Sequence, residues 1–130
     1  MFELFLIYIF TIIPLIVLDV VWVGYVAMPF YRSQVGHLLG SFRWQGALGF
    51  YTIYSLGISA LVVSQFRDDL ITTAVYGGLL GLTAYSVYNF SNHATLNNWT
   101  FKTVIVDICA GVIITALVAS TSHYLVNLVI

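Results

Sequence analysis

Long apolar stretches separated by short polar breaks are the main feature of this chain. A helix that crosses a bilayer needs about 20 predominantly apolar residues, and four stretches reach that length: residues 4–28, 44–66, 70–92 and 103–128. Most of the charged residues lie in the polar breaks, at Pro29–Arg43, Arg67–Asp69 and Asn97–Lys102. The pattern predicts an all-α polytopic membrane protein in which residues 1–130 form a single domain, a bundle of four transmembrane helices.

The first polar break has a pattern of its own. Apolar residues such as Phe30 and Val35 alternate with polar residues such as Arg32 and His37, which is typical of a short segment lying in the membrane interface. We therefore expect an interfacial segment between helices 1 and 2, although a plain connecting loop fits the same pattern. Three aromatic residues near the ends of the stretches are expected in the belt at the membrane–water interface: Tyr31, Trp44 and Trp99.

Composition agrees with a membrane location and excludes several classes of function. Of the 130 residues, 61% are hydrophobic and 7% are charged, whereas soluble chains carry about 25% charged residues. The net charge of −1 and the four Lys+Arg residues provide no basic surface for nucleic acid. A single cysteine, Cys109, excludes an intrachain disulfide. Because no metal-binding or cofactor-binding motif occurs, we expect neither a metal nor a cofactor.

The distribution of Lys and Arg predicts an orientation. The first and third breaks contain Arg32, Arg43 and Lys102, whereas the second contains only Arg67. Positively charged loops face the cytoplasm, so both termini are expected on the outside. The N-terminal stretch lacks a positive n-region and a small-residue cleavage site, so we expect a retained span rather than a signal peptide.

Small residues predict close packing of the third helix. Gly77 and Gly81 form a GxxxG motif, which allows two helix backbones to approach closely in lipid. Contact within one chain is favoured over contact between two copies. A homodimer through this motif stays an alternative.

Two carboxylates lie where they cost free energy. Asp19 is about nine residues from the end of the first stretch, which is about 13 Å at about 1.5 Å per residue and therefore close to the midplane. An aspartate there costs about 2.5–3.5 kcal/mol on insertion scales, so it should face the bundle and find a partner or a proton. Asp107 lies about five residues into the fourth stretch, in the same half of the membrane.

The third stretch presents a matching polar stripe. Positions i, i+3, i+4 and i+7 of one helical face are occupied by Tyr85, Tyr88, Asn89 and Asn92, and His93 continues the edge of this stripe. Hydroxyl and amide groups can donate hydrogen bonds to an aspartate at the same depth. The cluster is either a functional site or a network that only determines helix register. His93 is a candidate proton shuttle or metal ligand, although a histidine at the end of the helix whose own ring nitrogens are satisfied fits its position better.

Motifs in both halves of the chain resemble one known family. The first half contains Leu18-Asp19-x-x-Trp22-x-Gly24, Phe30-Tyr31 and Gly36-His37-Leu38. The second half contains Tyr85-x-x-Tyr88-Asn89-Phe90-Ser91-Asn92-x-Ala94-Thr95-Leu96-x-x-Trp99 and Val106-Asp107-Ile108-x-x-Gly111. Together they resemble the bacterial membrane-protein family known as domain of unknown function 2177. The resemblance implies a four-helix protein of the bacterial inner membrane and brings no activity with it.

The same resemblance points to particular residues. The family's motif positions match Asp19, Trp22, Tyr88, Asn92, Trp99 and Asp107. The chain departs from the family pattern at Asn89 and Ser91, where an aspartate and a threonine are expected, at Ala110, where a tryptophan is expected, and at His93. Compared with the pattern that the resemblance leads us to expect, this chain therefore has an amide instead of a titrating carboxylate at position 89.

Functions from three classes are compatible with these residues. We favour binding or transport of a small or lipophilic molecule, with Asp19 and Asp107 as proton or cation sites; transport through four helices needs a homodimer or a larger assembly. An intramembrane enzyme acting on a lipid or isoprenoid would use the two aspartates as general acid and base. An accessory subunit would use the polar network for structure alone.

Besides the lipid bilayer, the expected partner is a small lipophilic ligand or lipid. Its candidate binding residues are Asp19, Trp22, Tyr85, Tyr88, Asn89, Asn92, His93 and Asp107.

Overall fold

Four long apolar helical stretches account for most of the chain. The computed structural model describes residues 1–130. Its helices are α1 (Phe2–Trp22), α2 (Met28–Val35), α3 (Trp44–Ile58), α4 (Leu70–Thr95) and α5 (Phe101–Val129). Shorter turns of helix follow three of them, a π turn at Val23–Ala27, a 3₁₀ turn at Gly36–Leu38 and a π turn at Ser59–Val63. Four continuous stretches are long and apolar enough to cross a membrane, which confirms the predicted all-α fold with four membrane helices.

Apolar side chains cover the outside of the bundle. Only 28 of the 130 residues are buried, and large side chains such as Ile53, Val87 and Ile113 are more than half exposed. Water-soluble monomers do not expose apolar surface on this scale, whereas lipid is the matching solvent for such a surface. The chain is therefore a membrane protein.

The first helical stretch is longer than the sequence pattern predicts. Helical structure continues past residue 28, through the expected break at Pro29, as far as Leu38. A proline has no backbone N–H and clashes with the preceding turn of a regular helix. The π turn Val23–Ala27 widens the helix just before Pro29, which then lies in the first turn of α2, where its missing N–H costs little. Within the expected interfacial segment, residues 29–35 belong to α2, Gly36–Leu38 form the 3₁₀ turn, and only residues 39–43 form an irregular connection.

Close packing of α4 against α5 holds one side of the bundle together. A Cβ atom added to Gly77 would lie 2.9 Å from the Cβ atom of Ala119, and one added to Gly81 would overlap the carbonyl oxygen of Gly111. A Cβ atom on Gly111 would in turn overlap the ring of Tyr85. The GxxxG motif is thus used within one chain, at a helix separation that larger residues would increase.

The second polar loop contacts both the first and the last helix of the chain near their outer ends. Arg67 forms an ion pair with Glu3 on α1, and its guanidinium donates to the side-chain oxygen of Asn127 on α5 at 2.7 and 3.0 Å. The side chains of Asn127 and His123 contact the backbone oxygen of Arg67 at 3.1 and 3.0 Å. Both termini and Arg67 therefore lie at one end of the bundle. The other three basic residues lie at the opposite end, with Arg32 in α2, Arg43 in the irregular connection and Lys102 in the first turn of α5.

Candidate functional site

A cleft of about 260 Å³ lies between the helices at the level of the two intramembrane carboxylates. Asp19 and Trp22 of α1 and Asp107 of α5 form part of its wall. The other helices contribute Tyr31 from α2, Phe50 from α3, and Tyr85 and Tyr88 from α4. Two carboxylates that are far apart in sequence therefore share one cavity.

Asp107 is buried, and its carboxylate accepts three hydrogen bonds. The hydroxyl of Tyr31 donates to Oδ1 and the hydroxyl of Tyr88 donates to Oδ2. The side-chain nitrogen of Asn89 also donates to Oδ2, at 2.6 Å. Each oxygen of this carboxylate therefore has at least one donor, and Oδ2 has two. Because the donors come from α2 and α4, the carboxylate connects three helices.

Asn89 is oriented so that it donates to Asp107. Its side-chain nitrogen also donates to the carbonyl oxygen of Tyr85 at 2.9 Å, and its side-chain oxygen accepts the indole N–H of Trp99 at 3.3 Å. A carbonyl oxygen cannot donate and an indole N–H cannot accept, so only one orientation of the amide satisfies both partners. Trp99, which the sequence places in an interface belt, therefore directs its N–H towards the polar cluster.

Asp19 differs from Asp107 because it has a single donor. The hydroxyl of Tyr51 donates to its Oδ2 at 2.7 Å, and no other protein group donates to this carboxylate. Since a carboxylate offers about four lone-pair sites, most of the acceptor capacity of Asp19 is unused. The side chain is partly buried and lines the cleft. Of the two carboxylates, Asp19 is therefore the one with capacity for a proton or a ligand.

No cationic side chain neutralises this pair of carboxylates. The residues that line the cleft include no Lys, Arg or His, and the one ion pair of the chain, Arg67–Glu3, lies at the opposite end. Lys102, five residues before Asp107, lies instead over the ring of Phe30, with its Nζ 6.0 Å from the ring centroid. Burying a charge without a partner costs several kcal/mol, so the cleft favours a proton or a positively charged ligand.

The sequence-predicted site residues divide into three groups. Five of the eight line the cleft, namely Asp19, Trp22, Tyr85, Tyr88 and Asp107. A sixth, Asn89, lies behind the wall and bonds to Asp107. The remaining two lie outside. His93 is exposed, and its Nδ1 lies 2.7 Å from the backbone oxygen of Trp99. The side chain of Asn92 forms no hydrogen bond with the cluster, and its backbone carbonyl accepts the N–H of Leu96 at the end of α4.

His93 lies in the last turn of α4, and its ring nitrogen contacts the loop that follows this helix. Its ring packs edge-on against Phe101, with centroids 5.7 Å apart. No group of three or more potential metal ligands occurs in the chain, so His93 has no companions with which to hold a metal ion.

Three aromatic residues of the site are not predicted as site residues from the sequence. Tyr31 donates to Asp107, Tyr51 donates to Asp19, and Phe50 lines the cleft. The sequence pattern places Tyr31 in the interface belt because it ends the first helix at residue 28; since the helix continues, the hydroxyl reaches the bundle interior. Tyr51 and Tyr54 lie three residues apart on α3 and so share one helical face, a signal that could have identified a second polar stripe.

Comparison with known proteins agrees with this architecture. A family model described as "Predicted membrane protein (DUF2177)" matches residues 4–124. No curated protein and no solved structure matches the chain. The family description states a membrane location and no activity, and the match covers most of all four membrane-spanning stretches. The chain therefore belongs to the DUF2177 family of predicted membrane proteins.

Proposed function

We propose that this protein binds a small or lipophilic molecule in the cleft between its helices, with Asp19 as the site of a proton or cation. The observation that carries the proposal is a cavity of about 260 Å³ with two carboxylates in its wall, one of which accepts a single hydrogen bond. Carboxylates inside a membrane are costly and are associated with function. An incompletely satisfied carboxylate that lines a cavity therefore supports a binding role.

The unequal satisfaction of the two carboxylates supports binding over a purely structural network. A network that only determines helix register is expected to satisfy every member and to leave no cavity. Asp107 meets this expectation, because three donors surround it. Asp19 does not, and the cleft lies beside it. We therefore propose a structural role for Asp107 and a ligand-binding role for Asp19.

An intramembrane enzyme that modifies a lipid or isoprenoid is the second candidate. The presence of both carboxylates in one cavity favours it, since such an enzyme would use Asp19 and Asp107 as general acid and base. Against it, the acceptor atoms of Asp107 are already occupied by Tyr31, Tyr88 and Asn89. The cleft wall also contains no Ser, Cys, Thr or Lys nucleophile. Binding is therefore the better supported function.

The proposal includes a location and a condition on transport. We propose a location in the bacterial inner membrane, which the family resemblance implies. Both termini then lie outside, because the end of the bundle opposite the termini carries three of the four basic residues. Transport would require a second copy of the chain. Because Gly77 and Gly81 already pack against α5, such a homodimer would form through another face of the bundle.

Native mass spectrometry of the detergent-purified protein tests the proposed binding. We expect the wild-type protein to retain a small adduct, since a molecule held between the helices survives gentle removal of detergent. Ala110→Leu places a larger side chain in the cleft wall and should abolish the adduct. Cys109→Leu is the matched control, because Cys109 is the adjacent residue on α5 but is exposed and lies outside the cleft.

Two results would contradict the proposal. An adduct that persists in Ala110→Leu would place the bound molecule elsewhere. A wild-type protein that carries no adduct and is monomeric would favour the accessory-subunit interpretation.

A further inference from the structure

We infer that the ligand of this cleft is a lipophilic ammonium cation whose positive nitrogen lies beside Asp19 and whose hydrocarbon chain leaves between α3 and α4. The inference rests on the proposed function and adds the chemical class of the ligand. Three features carry it: the aromatic wall of the cleft, the carboxylate without a cationic partner, and an apolar groove next to the cleft.

Aromatic side chains form half of the cleft wall. Five of its ten residues are aromatic, namely Trp22, Tyr31, Phe50, Tyr85 and Tyr88. The negative face of an aromatic ring attracts cations, and the attraction increases when the cation is desolvated. Several such rings around one site are the usual means of recognising a quaternary ammonium group. The wall therefore matches an organic cation better than an uncharged molecule.

The charge of Asp19 also favours such a cation. A neutral ligand would leave this carboxylate uncompensated unless a proton were taken up at the same time. A hard metal ion such as Mg²⁺ or Ca²⁺ binds about six or more oxygen ligands, whereas the carboxylate of Asp107 and the hydroxyls of Tyr31 and Tyr88 are already engaged with one another. An ammonium group satisfies the carboxylate without demanding further oxygen ligands.

The cleft by itself is too small for a whole amphiphile. Its volume of about 260 Å³ is below the roughly 300 Å³ at which pockets for drug-sized ligands begin. An apolar groove of about 420 Å³ lies between α3 and α4, and Phe50 lines both cavities. The ring of Phe50 stacks on Tyr54 at 5.2 Å, and Tyr54 contacts Tyr85 of the cleft at 6.2 Å. The groove and the cleft are therefore neighbours that share an aromatic wall.

The groove has the shape and surroundings that a hydrocarbon chain requires. Gly49 and Gly57 form part of its α3 side and have no atom within 4 Å of where a Cβ would lie. These two glycines are about 12 Å apart along the helix, at about 1.5 Å per residue. Ile53 between them is 73% exposed, so the groove faces the lipid. The hydrocarbon chain of the proposed ligand passes Phe50, the residue that both cavities share, and then lies in the groove and extends into the membrane.

Equilibrium binding of radiolabelled alkyltrimethylammonium ions to the protein in a nonionic maltoside detergent tests this inference. The probes are tetramethylammonium and decyltrimethylammonium, and 1-decanol is the uncharged competitor. We expect saturable binding of the decyl compound. With affinities expressed against the free probe in water, it should bind at least about tenfold tighter than tetramethylammonium, since each methylene transferred from water contributes on the order of fourfold. Decanol should not displace it, because it lacks the charge.

Three variants separate the charge from the groove. Asp19→Asn keeps the shape of the side chain and removes its charge, so binding of both ammonium probes should fall by at least about tenfold. Gly57→Leu fills the groove and should weaken the decyl compound to the level of tetramethylammonium. Gly46→Leu is the matched control, because Gly46 also lies in open space on α3 but outside the groove. Thermal unfolding of each variant verifies that it is folded.

Different failures have different meanings. Any of three results would overturn the ammonium inference: displacement by decanol, unchanged binding in Asp19→Asn, or no binding of either probe. The proposed function would still stand in each case if the adduct seen by mass spectrometry is lost in Ala110→Leu. Unchanged decyl binding in Gly57→Leu would overturn the path of the chain. If the adduct also persists in Ala110→Leu, the proposed function itself fails.

Discussion

The side-chain nitrogen of Asn89 lies 2.6 Å from the carboxylate of Asp107 and donates a hydrogen bond to it. A carboxylate at position 89, which the resemblance leads us to expect in the family, would put two acidic groups at this distance, and they would have to share a proton. The amide of Asn89 does not titrate and donates to Asp107 instead, as the hydroxyls of Tyr31 and Tyr88 do. In this chain the capacity for proton or ligand exchange is therefore concentrated at Asp19.

Replacing the two aspartates should affect stability unequally. Asp107→Asn leaves donors of Tyr31, Tyr88 and Asn89 facing an amide that can accept from only some of them, at a cost of about 1–3 kcal/mol for each buried donor left unsatisfied. Asp19→Asn affects only the hydrogen bond from Tyr51 and should cost less. Thermal unfolding in detergent compares the two variants. Equal losses would show that Asp107 is not the structural member of the pair.

Glycine at position 81 should be required for packing of α4 against α5. Gly81→Ala forces a Cβ atom into the backbone of Gly111 and should lower the free energy of unfolding by about 1–3 kcal/mol, as overpacking does. Gly46→Ala is the control, because nothing lies within 4 Å of its Cβ position. This control should be neutral or slightly stabilising, since alanine is the better helix former. A neutral Gly81→Ala would contradict the close helix contact.

Asp69 should make the N-terminus of α4 sensitive to acid. Its carboxylate accepts the hydroxyl of Thr72 and the backbone N–H of Ile71 at 3.1 Å. The Thr72 hydroxyl, followed by the backbone N–H groups, lowers the pKa of Asp69 below its ordinary value of 3.8. Because the folded-state pKa is depressed, the cap stabilises the protein above about pH 4 and loses this contribution as the pH falls through the folded-state pKa.

The measurement for this cap is the difference in Tm between the wild type and Asp69→Ala. That difference should be largest near neutral pH and should shrink between about pH 5 and about pH 2. Asp68→Ala is the control, since the neighbouring Asp68 is exposed and makes no hydrogen bond. A Tm difference for Asp69→Ala that stays constant over this range would refute the charged cap.

Thiol labelling should determine the orientation. In a Cys109→Ala background, Asp68→Cys introduces a thiol in the loop that contains Arg67, and Ser41→Cys introduces one in the irregular connection of residues 39–43. We expect a membrane-impermeant maleimide to label position 68 in intact cells and position 41 only after permeabilisation, because the more positive loops face the cytoplasm. The reverse pattern would invert the orientation.

The number of membrane-spanning stretches can be predicted from the sequence. In lipid, each helix must satisfy its backbone hydrogen bonds within itself, so the ability to span a membrane is a property of each segment alone. The sequence places Asp19 near the midplane and Asp107 about five residues inside the fourth stretch, and the structure brings both into the wall of one cleft. Pro29 is the exception, since its effect depends on the π turn that precedes it.

Only the tertiary structure decides which polar groups meet. Asn89 and Asn92 occupy the same helical stripe, yet only Asn89 reaches Asp107. Tyr31 reaches the same carboxylate because α2 continues the first helical stretch, and Tyr51 reaches Asp19 from α3, whose tyrosine pair does not by itself indicate which carboxylate it faces. Hydrogen bonding requires atoms to approach within about 3 Å at a suitable angle. That geometry depends on the rotation and separation of all the helices together, which no single segment of the sequence specifies.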